Sequence, residues 1–76
     1  MAYPLSEVSQ GEKVVLVSLL GGQMFKSRLT DMGLNEGVMV KVMQTQRVGP
    51  CVVLVGNSRL LLGHGMAQKI LVEKAG

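Results

Sequence analysis

Aromatic side chains are almost missing from this chain: Phe25 and Tyr3 are its only rings, and tryptophan does not occur. A face for stacking bases therefore has little to be built from. Cysteine occurs once, at Cys51, which excludes an internal disulfide and any paired Cys-x-x-Cys metal motif. Like charges form no tract. Lys13, Lys26, Arg28, Lys41, Arg47, Arg59, Lys69 and Lys74 stand singly, and five acidic residues leave a formal charge of +3. The longest apolar run, Val14 to Leu20, is interrupted by Ser18 and falls short of the roughly 20 residues that a membrane-spanning helix requires. No charged start, apolar stretch and small-residue cleavage site mark a leader, so a cytoplasmic location is expected.

What the chain does have is aliphatic bulk: 47% of its 76 residues are hydrophobic, so Val, Leu, Ile and Met must fill the core. A chain of this size buries only about 60% of its unfolded surface, and residues 1–76 are expected to make one domain.

Leu5 to Val8 forms an opening turn or strand, and the β-branched run Val14 to Val17 reads as the first full strand. Phe25, Leu29 and Met32 fall at i, i+4 and i+7, the apolar stripe of a helix from about Gln23 to Met32. Gly33 ends that helix, with Leu34 folding back on its last turn. After a second turn at Gly37, Val38, Val40 and Val42 face one way along a strand, and Met39, Lys41 and Met43 face the other. Gln44 to Arg47 is a polar bend, and Val48, Gly49 and Pro50 lead into the next strand. Cys51–Val55 and Ser58–Leu62 flank Gly56 and Asn57, a two-residue hairpin signal. Gly63, His64 and Gly65 break the strand, Met66 to Lys69 makes a helical turn, and Ile70 to Val72 is the last strand. Five strands with one inserted helix predict a mainly β fold, a small, partly closed antiparallel barrel.

These features, in order, carry a family resemblance. Leu5, Val8, Gly11, Gly21, Gly22, Arg28, Leu29, the triplet Met32, Gly33 and Leu34, then Gly37, the bend at Gly49 and Pro50, the Gly56 hairpin, and Ala67, Ile70 and Val72 resemble the FeoA family, ferrous iron transport protein A. The likeness spans nearly the whole chain, and its sharpest piece runs from Arg28 to Gly37. It implies an SH3-like barrel in the cytoplasm that acts with the GTP-dependent ferrous iron permease FeoB. It implies no catalytic residues and no cofactor. Two positions depart from the family's pattern: Glu36 stands where proline is frequent, and Gly63, His64 and Gly65 follow Leu62 where a basic residue is frequent.

The reactive side chains do not gather into a site by spacing. His64 and Cys51 stand alone, without the paired spacing of a metal centre, so any link to iron runs through a partner. The same two residues lack a third group to orient the imidazole for nucleophilic work. Most of the six methionines read as core filling. Gly21 and Gly22 before a helix lack the remaining residues of a phosphate-binding loop. Arg28, on the flank of the helical stripe, is expected to lay its stem along the barrel and reach a rim carbonyl or a partner carboxylate. Lys26 reads as a solvated charge.

The chain is therefore expected to be a non-enzymatic interaction module, with Lys26, Arg28, Met39 and Lys41 as the partner-binding residues. A nucleic-acid-binding small barrel, prompted by the pI near 9.4, and a free-standing relative of the SH3-like domain of metal-dependent repressors are the alternatives. The number of associating copies stays open, a weak homo-oligomer included. Metal analysis of the dialysed monomer is expected to find well under one equivalent of iron or zinc, with His64 or Cys51 able at most to bridge two chains. A tight one-to-one complex lost in Cys51→Ser or His64→Ala would overturn this expectation.

Overall fold

A computed structural model describes residues 1–46 and 49–75. Six strands pair antiparallel in one sheet: β1 (Tyr3–Pro4), β2 (Lys13–Leu19), β3 (Met39–Gln44), β4 (Cys51–Val55), β5 (Ser58–Leu62) and β6 (Ile70–Lys74). Their order is β1-β6-β2-β3-β4-β5, which leaves β1 and β5 as the two edges. A 3₁₀ turn at Leu5–Glu7, helix α1 (Gln23–Asp31) and a short helix α2 (His64–Ala67) complete the described elements. The fold is mainly β, as the sequence predicts. It has one more strand than expected because Tyr3 and Pro4 pair with Val72 and Leu71. Pro4 sits there on an edge, where a missing backbone donor is tolerated.

Strict alternation builds the core. Val14 and Leu16 of β2, Val40 and Val42 of β3, Val53 of β4, Leu62 of β5, and Ile70 and Val72 of β6 all turn to one face and are at most 1% exposed. Leu5, Leu29 and Leu34 fill this layer from outside the sheet. Full burial of one such side chain is worth about 1.5–3 kcal/mol, and among the described residues no polar side chain is buried to offset it. Two irregularities adjust the alternation. Val17 is the extra residue where Leu16 opposes Val72 and Ser18 opposes Leu71, and Met43 is the extra residue between the pairs Val42–Val53 and Gln44–Val52. The first bulge shifts the alternation after Val17 and brings Leu19 round to pack against the core.

The helix is seated more narrowly than its stripe suggests. Leu29 is its one buried residue, Phe25 is half-buried, and Met32, expected in the stripe, remains exposed. Met32 sits at the helix C-cap, 37% exposed, where it lines a cleft with Phe25, Arg28 and Met66. The end itself follows the expected form: Gly33 has φ +96°, its N–H donates to Thr30 O at 3.0 Å, and the Leu34 N–H donates to Leu29 O at 2.9 Å. These two bonds close the terminal carbonyls, and Leu34 is buried together with Leu29.

The hairpin from β4 to β5 also forms where expected, with Cys51 opposite Leu62 and Val55 opposite Ser58. Gly56 has φ +60° while no residue other than glycine has positive φ, so the Gly56–Asn57 turn has the handedness of type II′. The polar bend expected from Gln44 to Arg47 is shortened, because Gln44 is still the last residue of β3; Arg47 and Val48 lie outside the described residues. The helical turn expected at Met66–Lys69 begins two residues earlier, so His64 opens α2 instead of lying in a loop.

Gly33→Val is expected to destabilise the domain by about 1–2 kcal/mol or more, since a β-branched residue resists positive φ. Space is not the obstacle, for the nearest atom to an added Cβ is Val55 Cγ1 at 3.9 Å. Gly65→Ala, in α2 with nothing within 4 Å and without positive φ, should instead stabilise by about 0.4–1 kcal/mol. Urea midpoints of the two variants on either side of wild type would establish the contrast; a wild-type midpoint for Gly33→Val would remove the cap argument.

Cys51 is 6% exposed, and burial pushes its thiol above the ordinary value, so the folded state disfavours the thiolate. A raised folded value leaves stability intact at neutral pH. Stability falls as pH climbs above about 8.5, the unfolded thiol's range, through the folded value. Thiol labelling at pH 8 is expected to be slow in buffer and fast in denaturant, and rapid stoichiometric labelling of the native protein would contradict the burial.

Candidate functional site: two clefts bordered by cations

The first cleft lies on the outer face of the sheet, with Lys13, Met39, Lys41, Leu54 and Gly56 around about 370 Å³ of open space. Alternation places these side chains there: Val14 and Val40 turn inward, so Lys13, Met39 and Lys41 turn outward, and Leu54 does so between the buried Val53 and Val55. Met39 is 52% exposed, far more than a methionine recruited to fill a core. The lining sets two facing cations, Lys13 and Lys41, beside the apolar Met39 and Leu54.

The second cleft, about 180 Å³, is formed by Phe25, Arg28 and Met32 of the α1 region and Met66 of α2. Lys69 sets its ammonium 5.2 Å from the Phe25 ring centre, so a cation borders this cleft as well.

The four residues expected to bind a partner divide between these places. Met39 and Lys41 share the first cleft and Arg28 lines the second, while Lys26 lines neither and is half-buried. Helical geometry explains the division: at about 100° per residue, Lys26 and Arg28 fall on opposite flanks of the Leu29–Phe25 stripe. Lys26 is thus less solvated than expected. Arg28 is exposed, and among the described residues its guanidinium makes no hydrogen bond or ion pair, so the tie to a rim carbonyl is not formed. The nine residues of α1 hold to the core through buried Leu29, with Phe25 packed against it.

Reactive chemistry stays dispersed. Among the described residues no three of His, Cys, Asp and Glu stand close enough to hold a metal ion. His64 lies 3.2 Å, nitrogen to nitrogen, from Gln68 Nε2 one helical turn on, and Cys51 is buried at the start of β4. Lys13 and Leu54 were not singled out by their spacing in sequence. Their only early signal is strand parity, which brings them beside Met39 and Lys41 once the pairing of strands is known.

The sequence model of the FeoA domain family matches residues 3–74. A protein of Methanocaldococcus jannaschii named as Fe(2+) transport protein A is 37% identical over 73 residues, covering 96% of this chain and 88% of that protein. The crystal structure of an iron uptake regulatory protein, FeoA, superposes with a TM-score of 0.92 at 36% identity, covering 99% of this chain and all of that one. FeoA of Stenotrophomonas maltophilia, described as a prokaryotic SH3 domain protein and crystallised with zinc, shares the fold with a TM-score of 0.79 at 24% identity, covering 92% of this chain and 88% of that one. The SH3-like, mainly β architecture expected from the sequence is thus found, and the chain belongs to the FeoA family.

Proposed function

We propose that this chain is a non-enzymatic, cytoplasmic accessory of ferrous iron uptake that docks on the intracellular part of the GTP-dependent permease FeoB and alters its assembly or activity. The observation that carries the reading is the first cleft, where exposed Met39 and half-buried Leu54 stand beside the facing cations Lys13 and Lys41. Such a face has no reactive group to offer, but it suits association: methionine supplies adaptable burial, and rim charge sets orientation and encounter rate. Membership of the FeoA family and the iron transport names of its relatives support the biological setting. Docking would also carry the protein to the inner face of the membrane, since no helix among the described residues is long and apolar enough to cross one.

The association is expected to be modest in strength. The described surface totals 4779 Å², so a standard patch of about 800 Å² per partner would take about a sixth of it, and smaller interfaces are usually transient. Met39→Ser and Lys41→Glu are each expected to weaken capture by the permease's cytoplasmic part by about tenfold, equivalent to about 1.4 kcal/mol, and to lower ferrous iron uptake in cells. Lys26→Glu and Arg28→Glu test whether the α1 flanks belong to the same face. If none of the four changes binding or uptake, the face is misplaced; if the wild type shows no binding in intact membranes and its deletion leaves uptake untouched, the docking function falls.

A further inference from the structure

The antiparallel registers line up one row of side chains across four adjacent strands. Lys13 stands opposite Lys41, Lys41 opposite Leu54, and Leu54 opposite Arg59. Opposed residues share a face, and at about 4.8 Å between strands the row runs about 14 Å from Lys13 to Arg59. Three of its four members are cations. Among the described residues the one salt bridge joins the Met1 amino group to Glu73, so no acid engages the row. Like charges directly opposite each other weaken a strand pair, and here they face each other in the β2–β3 pair beneath which Val14 and Val40 are buried. Exposed apolar side chains flank the row, Met39 at 52% and Leu61 at 67%.

We infer that this row binds an extended acidic segment of a partner protein, with the pattern acidic-x-apolar-x-acidic laid across the strands. In an extended chain every second side chain faces the same way at intervals of about 6.8 Å, so two acids four positions apart lie about 13–14 Å apart. The first carboxylate then falls between Lys13 and Lys41. The apolar residue comes over Leu54 beside Met39, and the second carboxylate meets the Arg59 guanidinium, whose fork suits a carboxylate. The other occupants fit less well. A bilayer surface is too flat to enter the cleft of about 370 Å³, the face carries no ring for nucleic-acid bases, and a second copy would bring the same three cations. The inference deepens the docking reading, on which it rests for the identity of the protein carrying the segment.

The probe is a fluorescein-labelled, end-blocked peptide, Gly-Glu-Thr-Leu-Thr-Glu-Gly, titrated with the full chain by fluorescence anisotropy. Binding is expected to weaken about tenfold with the corresponding Gln-Thr-Leu-Thr-Gln peptide, and similarly in Lys41→Glu and Arg59→Glu, and to fall as salt rises past about 0.15 M. Lys41→Glu places an acid opposite Lys13, so its thermal midpoint should match or exceed that of wild type, which a merely structural lysine would not predict. If Lys41→Glu does unfold, Arg59→Glu on the edge strand carries the measurement alone. Equal binding of the Glu and Gln peptides, or wild-type affinity in both variants, overturns the site. So does stronger capture by phosphatidylserine–phosphatidylcholine vesicles or by single-stranded DNA than by the peptide. Peptide binding together with failed permease capture keeps the site and removes the partner; permease capture without peptide binding removes the site and keeps the partner.

Discussion

The register of β2 against β3 is the constraint on which both the core and the outer face depend. With Val14 opposite Val40, the two most central strands present aliphatic side chains to the interior, and the same register sets Lys13 opposite Lys41 outside. A slip of one residue in either strand would turn that strand's outer set inward, placing its lysine ammonium where Leu5, Leu29 and Leu34 now pack. Desolvating an unpaired ammonium costs far more than the valines contribute, so the alternative register is excluded by several kcal/mol or more at order of magnitude. The lysines therefore help to specify the fold from outside even though, as neighbours, they repel.

Those parts of the structure that depend on local chemistry were legible in the sequence. Gly33 had to end a helix whose apolar stripe stopped at Met32, and Gly56 with Asn57 between two aliphatic runs had to make a hairpin; both did. The alternation of Val38, Val40 and Val42 against Met39 and Lys41 is likewise the pattern found, up to the bulge at Met43. What escaped reading depends on pairing between distant segments. Tyr3 and Pro4 become a strand only because β6 offers them an edge, and Met32 is left exposed at a cleft it shares with Met66 of α2, a place that spacing within the helix does not reveal. Lys26 and Arg28 look adjacent in sequence, but they sit on opposite flanks of α1, so the candidate face had to be divided between two clefts.

Family membership and physical reading meet at the same point from different directions. The FeoA family places the chain among proteins named for ferrous iron transport, while its few possible metal donors are either dispersed or buried. Cys51 is the softest ligand available, yet burial keeps its thiol protonated, and a thiolate is what a metal would need.

The outer face also has to reconcile exposure with solubility. β5 is an edge strand carrying Leu61, and exposed apolar edges invite pairing with other copies. Arg59, two residues before Leu61 on the same face, together with Lys13 and Lys41 in its row, makes two such faces repel when they approach. The same charges that blunt self-association would draw in the acidic segment proposed above, so a single arrangement of cations would serve both ends. A purely apolar face of this size would bind its partner and itself with little discrimination. A purely cationic one would attract any polyanion and release it as salt rises. If the row binds the acidic segment proposed for it, methionine and leucine set beside its cations would require both a carboxylate and an apolar side chain at fixed spacing, and that joint requirement would give so small a surface its selectivity.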